Sequence, residues 1–360
     1  MTQISKKERA SVIVAMSGGV DSSITAKLLK DEGFDVTGMI MRLWGDKADD
    51  AQQAKMEEAI SDASEMAALL DIPLLVKDFR KQFKEIVVDY FVAAYERSTT
   101  PNPCPVCNKQ IKFGLLMQEV DKIGAHYLAT GHYVRIKKAR SGYMLQKGVD
   151  PHKDQSYFLY KLNQQQLARL LFPLGGLLKS QVREMAAAHN FPVKNRPESQ
   201  DLCFIGDNNY RGFISRYSNL AFRKGPIVDK SGTRLGTHAG LPCYTIGQRR
   251  GIGVAAGEPL YVTRMEPETN TLVVGDKTER FKYALTAAEV NFISGTAPVS
   301  PIPVTLKIRY AARGVKALLT PLLDGRVSLQ SEMALNDVAP GQSAVFYQDE
   351  TLLGGGIIEP

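Results

Sequence analysis

Ser11-Val12-Ile13-Val14-Ala15-Met16-Ser17-Gly18-Gly19-Val20-Asp21-Ser22-Ser23 is the stretch that decides the fold. Its first half is a short apolar, β-branched run that reads as a buried strand. Ile24 to Asp31 then reads as a helix, with Leu28 and Leu29 on its inner face and Gly33 just past its end. A strand, a glycine-rich turn and a helix start together aim main-chain N–H groups and a positive helix end at an anion. Gly18 and Gly19 allow close approach, and Ser17, Ser22 and Ser23 offer hydroxyls. Asp21 would repel a phosphate unaided, so it is expected to hold Mg²⁺ or to close the turn. Neither G-x-x-x-x-G-K-[ST] nor G-x-G-x-x-G is present. The bland alternative, a βα turn without a ligand, does not account for two glycines and three serines in seven positions.

The loop resembles the SGGxDS loop of the ATP pyrophosphatase (PP-loop) superfamily. That resemblance implies ATP as a substrate, split to AMP and pyrophosphate with adenylation of a carbonyl oxygen.

The rest of the chain fits an α/β start. Phe34 to Met41 reads as a strand, Trp44 to Asp50 as a loop and Ala51 to Leu70 as a helix. Leu74 to Val76 is a strand. Phe79 to Glu96 and Lys109 to Ile123 are helices, and Tyr127 to Ala129 is a strand leading into Thr130-Gly131-His132. This alternation predicts a doubly wound, mostly parallel sheet with ligands at the carboxyl ends of its strands. Val134–Ile136 and Tyr143–Gln146 read as a hairpin, and Gln155 to His189 as mostly helical with a break at Pro173–Gly176. From Gly225 onward, strand-like runs alternate with turns such as Asp229–Gly232 and Asp324-Gly325. Two small β-rich domains are expected there, the last a β-barrel. Pro298 to Pro303 reads as an edge strand. The expected divisions are 1–208 for a nucleotide-binding catalytic domain with a helical RNA-binding extension, 209–280 for a central β-rich domain and 281–360 for the barrel.

Composition narrows the function. The chain has 360 residues, 44% of them apolar, and a formal charge of +7. No apolar run is long enough to span a membrane. Met1 to Ala10 is polar and lacks the core of a signal peptide. A cytoplasmic protein is expected, so its four cysteines are read as chemical groups before structural disulfides. Residues 130–200 hold twelve Lys/Arg against four Asp/Glu. Such a segment suits RNA, and equally suits a solvated basic face.

The second informative stretch is Thr100-Pro101-Asn102-Pro103-Cys104-Pro105-Val106-Cys107-Asn108-Lys109. Cys107 lies at the mouth of the helix expected from Lys109, where a thiol is acidified. C-x-x-C spacing also suits half of a metal site. Zinc lacks a second ligand pair, whereas an Fe–S cluster on Cys104, Cys107 and Cys203 stays open. Cys203, alone among apolar residues in Leu202–Gly206, reads by itself as packed core.

Seven motifs, AMSGGVDSS, TPNPCPVCNKQIKFG, ATGHYVR, KDQSYFL, SQDLCFIG, YTIGQRRGIG and LGGGIIEP, occur in an order that resembles the bacterial tRNA-specific 2-thiouridylases from the first strand to the last residue. The resemblance implies ATP-dependent sulfuration of C2 of the wobble uridine in the tRNA anticodon arm. It implies ATP contacts from Ala15, Met16, Ser17, Gly18, Gly19, Val20, Asp21 and Ser22, with Met41 and Gly131 on the adenosine side. It implies Cys107 as nucleophile and Cys203 as persulfide carrier, which pair as a disulfide during turnover. Asn102, Pro103 and Cys104 take the positions that meet the target base. His132, Lys153, Asp154, Gln155, Arg309, Tyr310 and Gln342 take tRNA-contacting positions. Cys104 stands where some members have Asp, so its role is open. Cys243 matches nothing catalytic and is expected to be structural. ATP with Mg²⁺ and no resident metal is the expected cofactor set, with the Fe–S cluster as the alternative. A cysteine desulfurase or sulfur-relay protein is the expected donor, and the enzyme is expected to act as a monomer. Rival readings are another PP-loop adenylating ligase, which would not need two cysteines, and an RNA-binding protein with a vestigial loop, which would form no AMP.

Overall fold

The structure is a computed structural model and describes residues 10–45, 50–192, 202–207, 209–218 and 222–360. Residues 1–9, most of the loop read over Trp44–Asp50, Ser199–Asp201 of the SQDLCFIG motif and the expected boundary at 208 lie outside the described residues. The chain forms two compact units. One takes the described residues up to Lys84, with Cys107–Gly206 and Glu350–Leu352; the other takes Glu85–Val106, Asp207–Asp349 and Leu353–Pro360.

The first unit is built on a five-stranded parallel sheet. Strands β1 (Ser11–Met16), β2 (Asp35–Arg42), β3 (Leu74–Asp78) and β4 (Tyr127–Ala129) join a two-residue strand, Leu170–Leu171, in the order β3-β2-β1-β4 and then that strand. Val12, Val14 and Met16 of β1 are buried with Ile24 and Leu29 of α1 (Val20–Asp31) and with Ala63 and Met66 of α2 (Asp50–Leu69). Helices cover the sheet, so β1 has no wet face and reads as a continuous apolar run. The strand order reverses direction between β1 and β4, the place where such sheets bind ligands beyond their carboxyl ends.

The hairpin forms as β5 (Val134–Ala139) and β6 (Gly142–Lys147), two to three residues longer than the alternation indicated. Thr351 and Leu352 pair with its second strand inside this unit. Gln155 to His189 is less helical than expected. It holds short helical turns at Ser156–Phe158, Gln164–Leu167 and Pro173–Gly176, the strand Leu170–Leu171 (β7), and one full helix, Lys179–Ala188. The apolar pair Leu170-Leu171 sits beside β4 and completes the sheet, so tertiary pairing overrides local helix propensity there.

In the second unit, β8 (Gly225–Val228), β9 (Arg234–His238), β10 (Tyr261–Glu266) and β11 (Thr271–Gly275) form a sheet in the order β10-β11-β8-β9 around Ile227, Val262, Leu272 and Val274. A helix, Tyr210–Tyr217, packs on the preceding helix Asp89–Glu96 through Phe213 on Phe91 and Tyr210 on Tyr95. The strands β12 (Phe281–Phe292), β13 (Ile302–Lys307), β14 (Val315–Pro321), β15 (Val327–Asn336), β16 (Ser343–Gln348) and β17 (Thr351–Ile358) run antiparallel and close on themselves through β12 and β17. Closure removes the exposed edges of the sheet, and Leu306, Leu319, Leu329 and Phe346 fill the interior. The expected terminal barrel is therefore present. The edge strand read over Pro298–Pro303 does not form: residues 298–301 lie outside any strand, and Ile302 and Pro303 open β13 between β14 and β16. Pro303 pairs only with β14, because β16 meets β13 at Thr305–Lys307, so its missing N–H breaks no bond on that side. Among the described residues no helix is long and apolar enough to cross a membrane.

Candidate active site

The Ser17–Gly19 turn is shaped by its own hydroxyls. Ser22 Oγ and Ser23 Oγ each donate to the Gly19 carbonyl at 3.0 Å, and Ser22 Oγ accepts from the Ser17 N–H at 3.2 Å. Ser23 is wholly buried, so its hydroxyl serves the turn and not a ligand, contrary to the expectation. Gly18 has φ +72°, and a Cβ there would lie 2.5 Å from the Ala59 carbonyl oxygen. Only glycine fits. Gly19 caps α1 without a side-chain bond, which leaves first-turn N–H groups for an incoming anion.

Asp21 departs most from expectation. Its carboxylate accepts from Lys179 Nζ at 2.7 Å on each oxygen and from Tyr133 Oη at 2.7 Å. Lys179 is buried, and its main-chain N–H donates to Asp150 Oδ2 at 2.9 Å. Asp21 closes the turn by anchoring a cation. Occupied in this way, it is no ready Mg²⁺ ligand. Among the described residues, Cys104, Cys107 and Cys203 included, no group of three His, Cys, Asp or Glu side chains is placed to hold a metal ion.

Gly131 meets this turn from the end of β4. A Cβ on it would come 3.0 Å from Asp21 Cβ and 3.2 Å from the Ser22 nitrogen. Met41 lies near the end of β2, buried beside the same carboxyl edge of the sheet. Ala15, Met16, Val20, Met41 and Gly131 are thus collected with the turn at the β1/β4 reversal.

The cysteine helix starts earlier than read. It begins at Pro103, runs as Pro103–Cys107, widens into a π-helix over Asn108–Leu115 and continues as Leu116–Ile123. Proline is at home in a first turn, where its missing N–H has no partner to lose, and two of the three local prolines sit there. Cys107 therefore lies a turn inside the helix, and the helix-start argument for its acidity falls instead on Cys104. Cys107 is buried, Cys104 half-buried and Cys203 exposed, and none of the three is in a disulfide. Cys203 is followed by buried Phe204 and Ile205, with Phe204 against Phe83 at 5.9 Å between ring centres. Although the residue is exposed, crowding of its sulfur pushes the thiol pKa up, and the Lys112 charge pulls it back down. Lys112 stands on the π-helix just beyond Cys107, so the cation that acts on Cys203 is carried by the Cys107 helix. Cys243 is buried in the β8–β11 core, as a structural residue should be.

The positions matched to tRNA contacts fall into two kinds. Arg309 and Tyr310 are exposed. Lys153 and Gln155 are half-buried, and Gln155 Oε1 accepts from the Tyr133 N–H at 3.0 Å. Asp154 is buried and accepts from the Gly148 and Ser156 N–H groups, both at 3.1 Å, which makes it the keystone of its turn. His132 is buried, bonds Thr130 Oγ1 at 2.7 Å and packs between Phe113 and Phe172. Burial, with Lys112 adding to it, drives its pKa well below the usual histidine value and keeps it neutral. Gln342 braces the Thr100–Asn102 segment: its Nε2 donates to the Thr100 and Pro101 carbonyls at 3.1 and 3.0 Å, while Asn102 Nδ2 donates to Ser343 Oγ at 3.3 Å. The Thr100 N–H donates to the Pro340 carbonyl at 2.8 Å.

Sequence reading missed Lys179, Tyr133 and Lys112. A signal existed for the first: a lysine in the opening turn of Lys179–Ala188 opposes the helix dipole, an arrangement that needs a nearby anion.

A parallel sheet with an uncapped helix start behind a serine–glycine turn, set at its reversal point, defines a nucleotide-phosphate site. Comparison with known proteins carries this further. Residues 10–207 match the tRNA methyl transferase HUP domain family, residues 211–276 the tRNA methyl transferase PRC-barrel domain, and residues 282–358 the aminomethyltransferase beta-barrel domain. The tRNA-specific 2-thiouridylase MnmA of Clostridium perfringens is 44% identical over 354 residues, 97% of this chain and 98% of that protein. The tRNA-specific 2-thiouridylase MnmA of Moorella thermoacetica is 43% identical over 355 residues, 96% of this chain and 99% of that protein. The chain belongs to the tRNA-specific 2-thiouridylase family, whose members are ATP-using tRNA sulfurtransferases.

Proposed function

We propose that this protein converts the wobble uridine of tRNA to 2-thiouridine, with ATP as activator and Cys203 as carrier of the sulfur. The observation that carries the reading is the uncapped start of α1 behind the Ser17–Gly19 turn, set at the β1/β4 reversal of a chain that belongs to the tRNA-specific 2-thiouridylase family.

The chemistry follows in order. The turn and the α1 N–H groups take the ATP phosphates, and Lys179 swings from Asp21 to the phosphate charge. Magnesium arrives with the nucleotide. The uracil C2 oxygen attacks the α-phosphorus and expels pyrophosphate, so that AMP becomes a leaving group on C2. The terminal sulfur of a Cys203 persulfide attacks C2 and AMP departs. Cys107 thiolate then attacks Cys203 Sγ. The S–S bond breaks, its electron pair passes to the sulfur on C2 to form C=S, and a Cys107–Cys203 disulfide remains for an external thiol to reduce. Burial of Cys107 keeps its thiolate from other oxidants.

Residues 1–208 carry this chemistry, and 209–280 and 281–360 hold the anticodon arm. The base is splayed out of its stack to meet Asn102, Pro103 and Cys104. Arg309, Tyr310, Lys153 and the turn ordered by Asp154 and Gln155 contact RNA. His132 and Gln342 act from behind, through packing and the Thr100–Pro101 brace. The protein works as a cytoplasmic monomer fed by a persulfide-bearing desulfurase or relay protein.

The test is nucleoside mass spectrometry after incubation of tRNA with enzyme, ATP, Mg²⁺ and a persulfide donor. Wild type should give 2-thiouridine and AMP. Cys203→Ser should accept no sulfur, and Cys107→Ser should be persulfidated at Cys203 yet not turn over. Full thiolation by Cys203→Ser rules the scheme out.

A further inference from the structure

The stretch Tyr244–Gly253 takes no part in the chemistry above. It lies in the second unit and leads toward β10. Its ends are anchored, for Tyr244 and Ile252 are buried in the β8–β11 core. Between them Arg249 and Arg250 are exposed. Gln248 fixes the shape of the turn: its side chain accepts from the Thr245 N–H at 3.2 Å and donates to the Arg250 carbonyl at 2.9 Å. The main chain is tied to β10 by Gly247 N–H to the Val262 carbonyl at 2.8 Å and Val262 N–H to the Gln248 carbonyl at 2.9 Å. The turn is therefore a rigid mount for two guanidinium groups.

A third guanidinium joins them. Arg211, from the helix Tyr210–Tyr217, rests over the Tyr244 and Tyr210 rings at 5.6 and 5.9 Å. It lies against Gly251, where a Cβ would sit 3.4 Å from Arg211 Nη2. Among the described residues none of these three arginines has a carboxylate partner. Arg211 Nε donates to Tyr210 Oη at 3.5 Å, and stacking on the rings leaves the two terminal guanidinium nitrogens for an anion.

The turn is also keyed to Arg309. Gly247 packs on Asp337 so closely that a Cβ would overlap the carboxylate. Asp337 is buried, accepts from Arg280 Nε at 2.6 Å and Nη2 at 2.5 Å, and pairs with Arg309 Nη2 at 3.3 Å. One buried carboxylate thus fixes both the root of the Arg249–Arg250 turn and the exposed Arg309. A row of unmatched guanidinium groups suits a chain of regularly spaced phosphates better than a single anion. An acidic protein patch would be the other occupant, and continuity with Arg309 favours nucleic acid.

We propose that Arg211, Arg249 and Arg250 form a second phosphate-contact surface for the tRNA backbone, aligned with Arg309 through Asp337. This rests on the tRNA reading above. The test uses the full chain, an unmodified tRNA transcript and binding curves between about 50 and 200 mM salt. Arg249→Gln/Arg250→Gln should bind on the order of tenfold more weakly, and its log K against log salt slope should be shallower by about two. Arg249→Lys/Arg250→Lys should keep the wild-type slope. Wild-type affinity and slope in the Gln pair would overturn the proposal. So would weaker binding at unchanged slope, which marks a structural role, or intact tRNA binding with impaired sulfur loading from a protein donor, which marks an acidic partner. The proposed function fails separately, on the 2-thiouridine assay, which these curves do not use.

Discussion

Lys179→Met keeps the aliphatic stem and removes the ammonium. Asp21 then loses both 2.7 Å bonds from Lys179 and keeps only the one from Tyr133. A charge-assisted bond contributes about 1.5–3 kcal/mol when shielded. The Asp21 side chain is 33% exposed, so water recovers part of the loss. The net destabilisation should be about 2 kcal/mol, less than for a fully buried pair. In a unit of this size that lowers Tm by about 4–8 °C in a melting scan. Asp21→Asn in the same chain removes the stranded charge, so the double variant should melt within about 1 kcal/mol of wild type. Activity should behave otherwise. If Lys179 transfers to the nucleotide, both variants lose one charge-assisted phosphate contact, and tRNA-dependent AMP release should fall about 10- to 150-fold. Chromatography of labelled ATP reads this directly. Undiminished AMP release by Lys179→Met, or a double variant that melts as low as the single one, refutes the reasoning.

Gly18→Ala should weaken ATP binding more than about tenfold by calorimetry, because it strains a left-handed residue and meets the Ala59 carbonyl; an unchanged Kd would contradict the close approach. Gln342→Ala removes two bonds worth about 1 kcal/mol each from the Thr100–Pro101 segment, so thiolation should drop by up to about 30-fold with ATP affinity unaltered. Equal thiolation would mean the brace is idle. Lys112→Met should move the alkylation profile of Cys203, followed by peptide mass spectrometry, to higher pH. Burial already lifts this thiol above its usual value near 9, and Lys112 opposes that lift, so losing the cation leaves less thiolate at any pH below the inflection. A profile that moves down, or stays, would show that Lys112 does not act on Cys203.

The Ser17–Ser22 turn was legible because its information is local: glycine geometry, serine hydroxyls and the neighbouring strand and helix lie within one short window. The terminal barrel was legible for the same reason, from alternating runs and turn residues. Lys179 was not, because its meaning lies in a carboxylate 158 residues away in the chain. Gln342 matched a contact position, yet its bonds go to main-chain carbonyls that no side-chain pattern announces. The helix holding Cys107 was set too late because its opening turn contains prolines, which read as a break although they are tolerated there. Leu170-Leu171 was absorbed into a helical stretch because two leucines carry no period; only the vacant side of β4 makes them a strand.

The brace from Gln342 to Thr100 has a consequence for the order in which the enzyme becomes competent as it is made. The two residues are 242 positions apart. At about 5–20 residues per second, Gln342 leaves the ribosome roughly 10–50 s after Thr100. The Ser17–Gly19 turn, its strands and Cys104 are all synthesised before the Thr100 and Pro101 carbonyls have their partner. A nascent chain can therefore shape that turn early, while the Thr100–Asn102 segment waits for Gln342 and Ser343.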